Sequence, residues 1–363
     1  MSVAAKATRK AFTFVDLFAG IGGFHLAFSS IGGRCVDAVE RDRFAVETYN
    51  ANHEVVGGPI TSRDITMIDP GSIADHDVLL AGFPCQPFSL AGVSKKNALG
   101  RRHGFEDETQ GTLFFDLQRI ISAKRPSVFV LENVRNLESH DKGKTFKIIK
   151  DKLSELDYRV HYKVIDSRPW VPQMRKRILI VGFDERAKLD PKFSFDRFFS
   201  RFVPDSSPRL GAILHRHDRS EKPELPYTHG VRARVDDRYV LSEHLWQYLQ
   251  DYKAKHESLG NGFGYGLVGR RDIARTLSAR YHKDGAEILV RRGGGVTPRR
   301  LTPRECARLM GFPDSFEIPV SDTQAYRQFG NSVVVPMVTS LAEALKTDIV
   351  RFSRETRAIG SQG

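Results

Sequence analysis

The residue in this chain best suited to covalent chemistry is a cysteine held between prolines just past an apolar run. Cys85 stands in GFPCQPFS, directly after HDVLLAG (76–82), which reads as a buried strand. Open α/β folds bind ligands outside the carboxyl ends of their strands, so position favours a reactive thiol here. Pro84 and Pro87 stiffen the turn that would hold it outward. The other two cysteines carry no such signal: Cys35 lies within a strand and Cys306 on the apolar face of a helix, where a thiol is inert packing. Glu132 ends SVFVLE (127–132), a strand that would finish at the same sheet edge. A carboxylate there is either a helix cap or, beside a thiol, a proton donor to a ring nitrogen. Arg175 and Arg177 share one face of PQMRKRILIVG and are either solvated or suited to a phosphate and a base carbonyl.

A second constellation suits a nucleotide cofactor. Gly20, Gly22 and Gly23 in DLFAGIGGFH make a tight strand-to-helix turn, open to a ligand approaching helix-start N–H groups. His25 occupies the place where the dinucleotide fingerprint needs its third glycine, which argues against a dehydrogenase. Glu40 ends the next strand, where a ribose diol would be bound. Either group alone reads as tight packing or a solvated strand end; together they favour an adenosine-type cofactor without a pyrophosphate.

The elements that must position these residues alternate between strand and helix patterns. Strands are expected at 12–18, 34–40, 76–82, 127–132, 159–165 and 177–183, with helices from Gly22 to Ser30, near Phe44 to Asn52, at 112–123 and near 144–156. The fold class is therefore α/β, a doubly wound, mostly parallel sheet with right-handed crossovers. The pattern dissolves after Phe183 into a stretch rich in Pro, Gly, Arg and His, with a helix near 242–256. It resumes at LTPRECARLMGF, where Thr302 caps a helix, Pro303 fits its first position, Glu305 completes a capping box and Gly311 ends it. Residues 1–10 and 354–363 are expected to be flexible tails.

Composition narrows the partners. Fifty-six Lys and Arg against 44 Asp and Glu give a net charge of +12, which favours an anionic partner such as nucleic acid. Residues 261–304 alone hold ten basic and three acidic residues, interleaved with Phe263, Tyr265 and Tyr281. That mixture suits a surface that tracks phosphates while aromatic groups approach bases. Three widely spaced cysteines exclude a disulfide framework and show no zinc-ligand pattern, so no metal is expected. No run is apolar enough for a membrane span and no secretory signal precedes the first strand. A protein of a reducing compartment is expected.

Taken together the motifs resemble the cytosine-5 DNA methyltransferases. DLFAGIGG, GFPCQPFS, ENV, Q-x-R-x-R, RECARLMGFP and QFGNSVV occur in that family's order, from Phe12 to about Leu345. LLAGFPCQPFSLAGVSKKNALGR, GNGFGYG, RTLSARYHKDGAEILV and SDTQAYRQFGNSVVVP look like the bacterial Dcm-type branch, while Ser94 to His103 looks like an insertion relative to the family's smallest members. No regulatory domain is expected ahead of the first strand. The resemblance implies S-adenosylmethionine as cofactor and S-adenosylhomocysteine as product. It implies that Phe18 stacks on the adenine, that Gly20, Gly22 and Gly23 shape the turn and that Glu40 binds the ribose. Asp64 and Ile65 would meet the adenine edge, and Leu113, Asn331 and Val333 the methionine side. Cys85 would be the nucleophile, Glu132 the partner of the ring nitrogen and Arg177 the contact to the cytosine carbonyl, with Arg175 beside it. Residues 11–185 and 301–350 would form the catalytic and cofactor unit, and 186–300 the target-recognition unit.

The substrate implied is double-stranded DNA with its cytosine flipped out, at a short palindrome containing CC and GG. CCWGG is the first choice, and a CCGG- or CCNGG-containing site the runner-up. Arg270, Arg271, Arg275, Arg280, Arg291, Arg292, Arg299 and Arg300 are the candidate DNA contacts. A cognate restriction endonuclease is a candidate partner, and the expected setting is a monomer in the bacterial cytoplasm, associated with the nucleoid. Two other readings compete. An RNA cytosine methyltransferase sits poorly with the long basic segment after Phe183, and a DNA-binding repressor with the intact Cys85, Glu132 and glycine turn.

Overall fold

The computed structural model describes residues 12–84, 113–200, 207–260 and 264–360. Cys85 and the segment Ser94–His103 lie outside the described residues, as do 1–11 and 361–363. A six-stranded sheet forms the centre, built from β1 (Phe12–Leu17), β2 (Gly33–Val39), β3 (Val78–Gly82), β4 (Val128–Val134), β5 (Tyr158–Asp166) and β6 (Lys176–Asp184) in the order β2-β1-β3-β4-β6-β5. The pairs β1–β2, β1–β3 and β3–β4 are parallel. Strand β6 inserts antiparallel between β4 and β5. The loop 167–175 carries no crossover helix, and a connection of that kind joins antiparallel strands, not parallel ones. The fold is doubly wound α/β as expected, with this one strand reversed.

Both faces of the sheet are covered at its middle, which explains the near-continuous apolar runs of β3, β4 and β6. Side chains alternate along each strand: Val78, Leu80, Val128 and Val130 enter one core, and Leu79, Ala81, Phe129 and Leu131 the other. Helices α1 (Gly23–Ser30) and α2 (Arg43–Asn52) pack on the first face through Phe24, Phe28 and Tyr49. Helices α3 (Leu113–Lys124) and α4 (Lys144–Ser154) pack on the second through Leu117, Ile120, Ile149 and Leu153. Asp42 caps α2 by accepting from Phe44 and Ala45 N–H.

After β6 the chain crosses α5 (Phe195–Phe199), whose Phe195 and Phe198 join the first core. Asp348 accepts the N–H groups of Lys192 and Phe193, so the opening of the 186–300 segment packs on the C-terminal helix. Short pairs follow, β7 (Thr228–His229) with β8 (Arg234–Val235), then α6 (Glu243–Ser258) and a small sheet of β9 (Leu267–Val268), β10 (Leu289–Val290) and β11 (Arg299–Arg300). Leu241, Leu249, Ala286 and Leu289 make a satellite core, but Leu210, Tyr227, Tyr239, Leu277 and Tyr281 belong to the core of the central sheet. The second unit therefore shares its packing with the first.

The last helices are α7 (Pro303–Leu309), α8 (Asp322–Asn331) and α9 (Val335–Gly360). The capping box at Thr302 and Glu305 is present, with Pro303 in the first turn. Residues 354–360 correct the expectation of a frayed tail, because α9 runs through them. Arg357 pairs with Asp77 at the start of β3, and Thr356 Oγ1 lies 2.5 Å from Ser127 Oγ. Side chains reaching back to the sheet, which the charged sequence RETRA does not reveal, hold this last turn. No helix among the described residues is long and apolar enough to cross a membrane.

Candidate active site

The chain leaves β1, forms β2 on one side and returns to form β3 on the other. Ligand sites of open α/β sheets lie at such a switch point, outside the carboxyl ends. A cavity of about 570 Å³ opens there, within the range of small-molecule sites. Residues at or just beyond the carboxyl ends of β1, β2, β3 and β4 line it together with Leu113, Arg177 and Gly330–Val333.

The turn after β1 holds Phe18 at φ 54°, Gly20 at 55° and Gly22 at 81°. Left-handed backbone costs about 1–3 kcal/mol for a residue such as Phe18, a strain typical of ligand clamps. Gly23 is required by close packing, since a Cβ there would stand 2.7 Å from Val333 Cγ2. Glu40 at the end of β2 is fixed by three backbone donors: Gly20 N–H at 2.8 Å, and Arg41 and Asp42 N–H, both at 2.7 Å. A carboxylate accepts about four hydrogen bonds, so one site remains for a ligand hydroxyl. Asp64 accepts from Thr66 N–H and Oγ and pairs with Arg41 at 3.2 Å. Those bonds hold its carboxyl below the usual range. Phe18, Ile65, Leu113, Asn331 and Val333 all border the same cavity, so every cofactor candidate except Gly22 is on its wall.

Next to this wall stands an ion pair. Glu132 on β4 is 7% exposed and meets Arg177 on β6 with Nε–Oε1 at 2.9 Å. Burial pushes the Glu132 carboxyl up, while Arg177 and then Arg175 pull it back. Burial wins, so Glu132 holds a proton more readily than a surface glutamate. A Cβ on Gly82 would lie 3.9 Å from Glu132 Oε2, placing the carboxylate beside the strand end that leads to Cys85. Asn133 Nδ2 donates to Phe83 O at 2.9 Å and so pins the chain two residues ahead of Cys85. Reading the sequence alone passes over Asn133; a polar residue directly after the buried run VFVLE is its signal.

Arg175 borders the cavity close to Arg177 and Glu132, but its guanidinium is engaged by the backbone. It is 1% exposed, and its guanidinium donates to Leu277 O at 2.7 Å, Gly330 O at 3.0 Å and Ser332 O at 2.8 Å. Alternate residues of a strand share a face, but this one is covered by the loop and helix end that Arg175 ties together. Gln173 acts beside it, donating to Leu309 O and accepting from Leu277 N–H.

The basic candidates separate by burial. Arg271, Arg280, Arg291 and Arg292 are exposed. Arg270 and Arg275 are exposed too, though each donates to a backbone carbonyl, of Gly211 and Gly264 respectively. Arg300 is half-buried over the Tyr326 ring at 5.7 Å. Arg299 must be withdrawn as a DNA contact. It is 7% exposed and grips Glu305 with two bonds of 2.7 and 2.8 Å. Glu305 is wholly buried, and the Arg299 charge keeps its carboxyl below the usual range despite burial. An unpaired charge in that position would be costly, which fixes the arginine inward.

The doubly wound sheet thus brings a strained glycine turn, a tethered carboxylate after β2 and a buried Glu–Arg pair to one cavity. The family model for C-5 cytosine-specific DNA methylases matches residues 12–347, and the chain belongs to that family. It is 48% identical to the DNA-cytosine methyltransferase of Escherichia coli K12, over 93% of this chain and 78% of that protein. It is 45% identical to the type II methyltransferase M.NlaX of Neisseria lactamica, over 94% of this chain and 98% of that one. Among solved structures, the S. pombe Dnmt2 methyltransferase shares the fold with a TM-score of 0.69 and 19% identity, over 93% of this chain and 99% of that one.

Proposed function

We propose that the protein transfers a methyl group from S-adenosylmethionine to C5 of a cytosine flipped out of a short duplex DNA site, through a covalent bond between Cys85 and C6. The observation that carries this reading is the Glu132–Arg177 pair, buried on the same cavity as the glycine turn and Glu40. The residues suit the cofactor: Glu40 retains an acceptor site for a ribose hydroxyl, and Phe18 borders the cavity for an adenine. Gly23 and Phe24 line it at the start of α1, where helix donors favour a carboxylate. When bound, the cofactor supplies an electrophilic methyl on a sulfonium.

The chain's own residues make the cytosine reactive. Cys85, as thiolate, adds to C6; the S–C6 bond forms and the C5–C6 π electrons move to C5, which becomes an enamine carbon able to accept methyl. Glu132, whose carboxyl burial pushes up, acts as the proton donor to N3 and so favours that addition. Arg177 keeps Glu132 oriented and offers its remaining N–H donors to the base carbonyl. After methylation the C5 proton leaves to a base, the C6–S bond breaks to release the Cys85 thiolate, N3 returns its proton to Glu132, and the ring is aromatic again. A cytosine within a stacked duplex cannot reach these groups, which requires flipping.

Residues 186–300 are read as the target-recognition unit. Arg271, Arg280, Arg291 and Arg292 are assigned to phosphates and guanine edges. CCWGG, methylated once per strand, remains the preferred site, with a CCGG- or CCNGG-containing site second. Action as a monomer in the bacterial cytoplasm, alone or with a cognate restriction endonuclease, completes the reading. Bisulfite sequencing of DNA from cells expressing the protein tests it. Protected cytosines should fall at one palindromic site, and a genome without protected cytosines would overturn it.

A further inference from the structure

The glycine turn is propped from beneath by an imidazole that the chemistry above does not use. His53 follows α2, with its backbone N–H bonded to Tyr49 O at 2.9 Å. Its ring Nε2 lies 2.9 Å from Ile21 O, and a carbonyl only accepts, so Nε2 carries the proton. The ring also fills the place of a side chain at Gly22, where a Cβ would stand 2.0 Å from Nε2. On its other side His53 stacks on His25, with ring centroids 4.4 Å apart and planes at 26°. His25 Nδ1 is in turn 2.8 Å from the hydroxyl of the fully buried Tyr49.

These contacts fix one peptide plane. The Ile21–Gly22 peptide bonds on both edges: Gly22 N–H to Ala19 O at 2.9 Å, and Ile21 C=O to His53. Gly22 has a permissive backbone, so without the imidazole this peptide is free to tilt and its carbonyl loses its buried partner. Gly20, Ile21, Gly23 and Phe24 line the cavity, while Gly22 and His53 do not. Burial holds the His53 pKa down at about 4, against the pull of the Ile21 bond, so the ring is a neutral donor at physiological pH. We propose that His53 is a positioning residue for the cofactor site, its imidazole clamping the Ile21 carbonyl so that the turn keeps the shape that binds S-adenosylmethionine. This rests on the S-adenosylmethionine reading of the cavity.

The test is calorimetric titration of S-adenosylhomocysteine into the full-length chain and two variants. His53→Phe keeps a ring without a donor, and His53→Asn has a donor too short to reach. Each folded variant should bind about tenfold more weakly, the scale of one lost hydrogen bond. At saturating cofactor, turnover should stay within about twofold while KM for the cofactor rises. Folded variants with unchanged affinity, or loss of melting temperature alone, would reduce His53 to core packing and overturn the proposal. So would failure of both variants to fold. A wild-type chain that does not bind S-adenosylhomocysteine overturns the cavity reading instead, a distinct result.

Discussion

Replacing Arg175 with methionine distinguishes a strut from a base contact. Methionine fills the aliphatic part of the space but removes three donors, leaving the carbonyls of Leu277, Gly330 and Ser332 without them. Each buried acceptor left unpaired costs about 1–3 kcal/mol, and the three share one donor group, so their losses do not add fully. About 3–5 kcal/mol of stability should be lost, the lower part of the range that three such carbonyls would sum to. At roughly 2 °C per kcal/mol for a chain of this size, the melting temperature should fall by about 6–10 °C. Arg175→Lys, reaching fewer carbonyls, should fall between. Differential scanning calorimetry reads stability, and methylation below the melting transition reads activity on the same samples. Arg175→Met with unchanged stability and activity down more than about 10²-fold would refute the strut, because general catalytic contacts behave that way.

Glu132→Gln should slow methylation by about 10²–10⁴-fold in single-turnover assays with the fold intact, and near-normal rates would return Glu132 to a structural role. Burial pushes the Glu221 carboxyl up, but Arg308, the Arg216 N–H and His215 together hold it down at about 2, against a usual 4.5. Its stabilising contribution is therefore complete above pH 4.5 and lost as pH falls toward 2, so Glu221→Gln should show a smaller drop in urea midpoint than wild type over that window. Arg271→Ala or Arg280→Ala should reduce the salt dependence of DNA binding by about 0.9 for each phosphate no longer neutralised, measured by fluorescence anisotropy. Arg299→Ala should instead lower stability, because it strands Glu305; unchanged melting would contradict the assigned pairing.

The alternation of short β-branched strands with amphipathic helices is enough to read the central sheet, because its middle strands β3 and β4 are buried apolar runs without a polar interruption before their ends. The capping box at Thr302 is equally legible, being written within four residues. Reversal of β6 is not, since it depends on where a helix-free loop returns its strand. The pairing of Glu132 with Arg177 is likewise set by the register of β4 on β6, which puts Val134 opposite Arg177. Charge density points to residues 261–304 but cannot tell Arg299 from Arg271, because only the fold reveals which arginine faces a buried carboxylate. Arg175 and Arg177 look alike in sequence and both border the cavity, yet only Arg175 is held there by three backbone carbonyls from distant segments. His53 carries no motif, as its role depends on the absent side chain of Gly22.

Covalent attack on cytosine by Cys85 is the step on which the proposed chemistry turns, and trapping tests it most directly. Duplex DNA with 5-fluorocytosine at the target should form a denaturation-resistant complex with the wild-type chain when S-adenosylmethionine is present, since fluorine cannot leave C5 as a proton does. Cys85→Ala should form none. A resistant complex with Cys85→Ala, or none with wild type on a site it methylates, would contradict attack by this thiol.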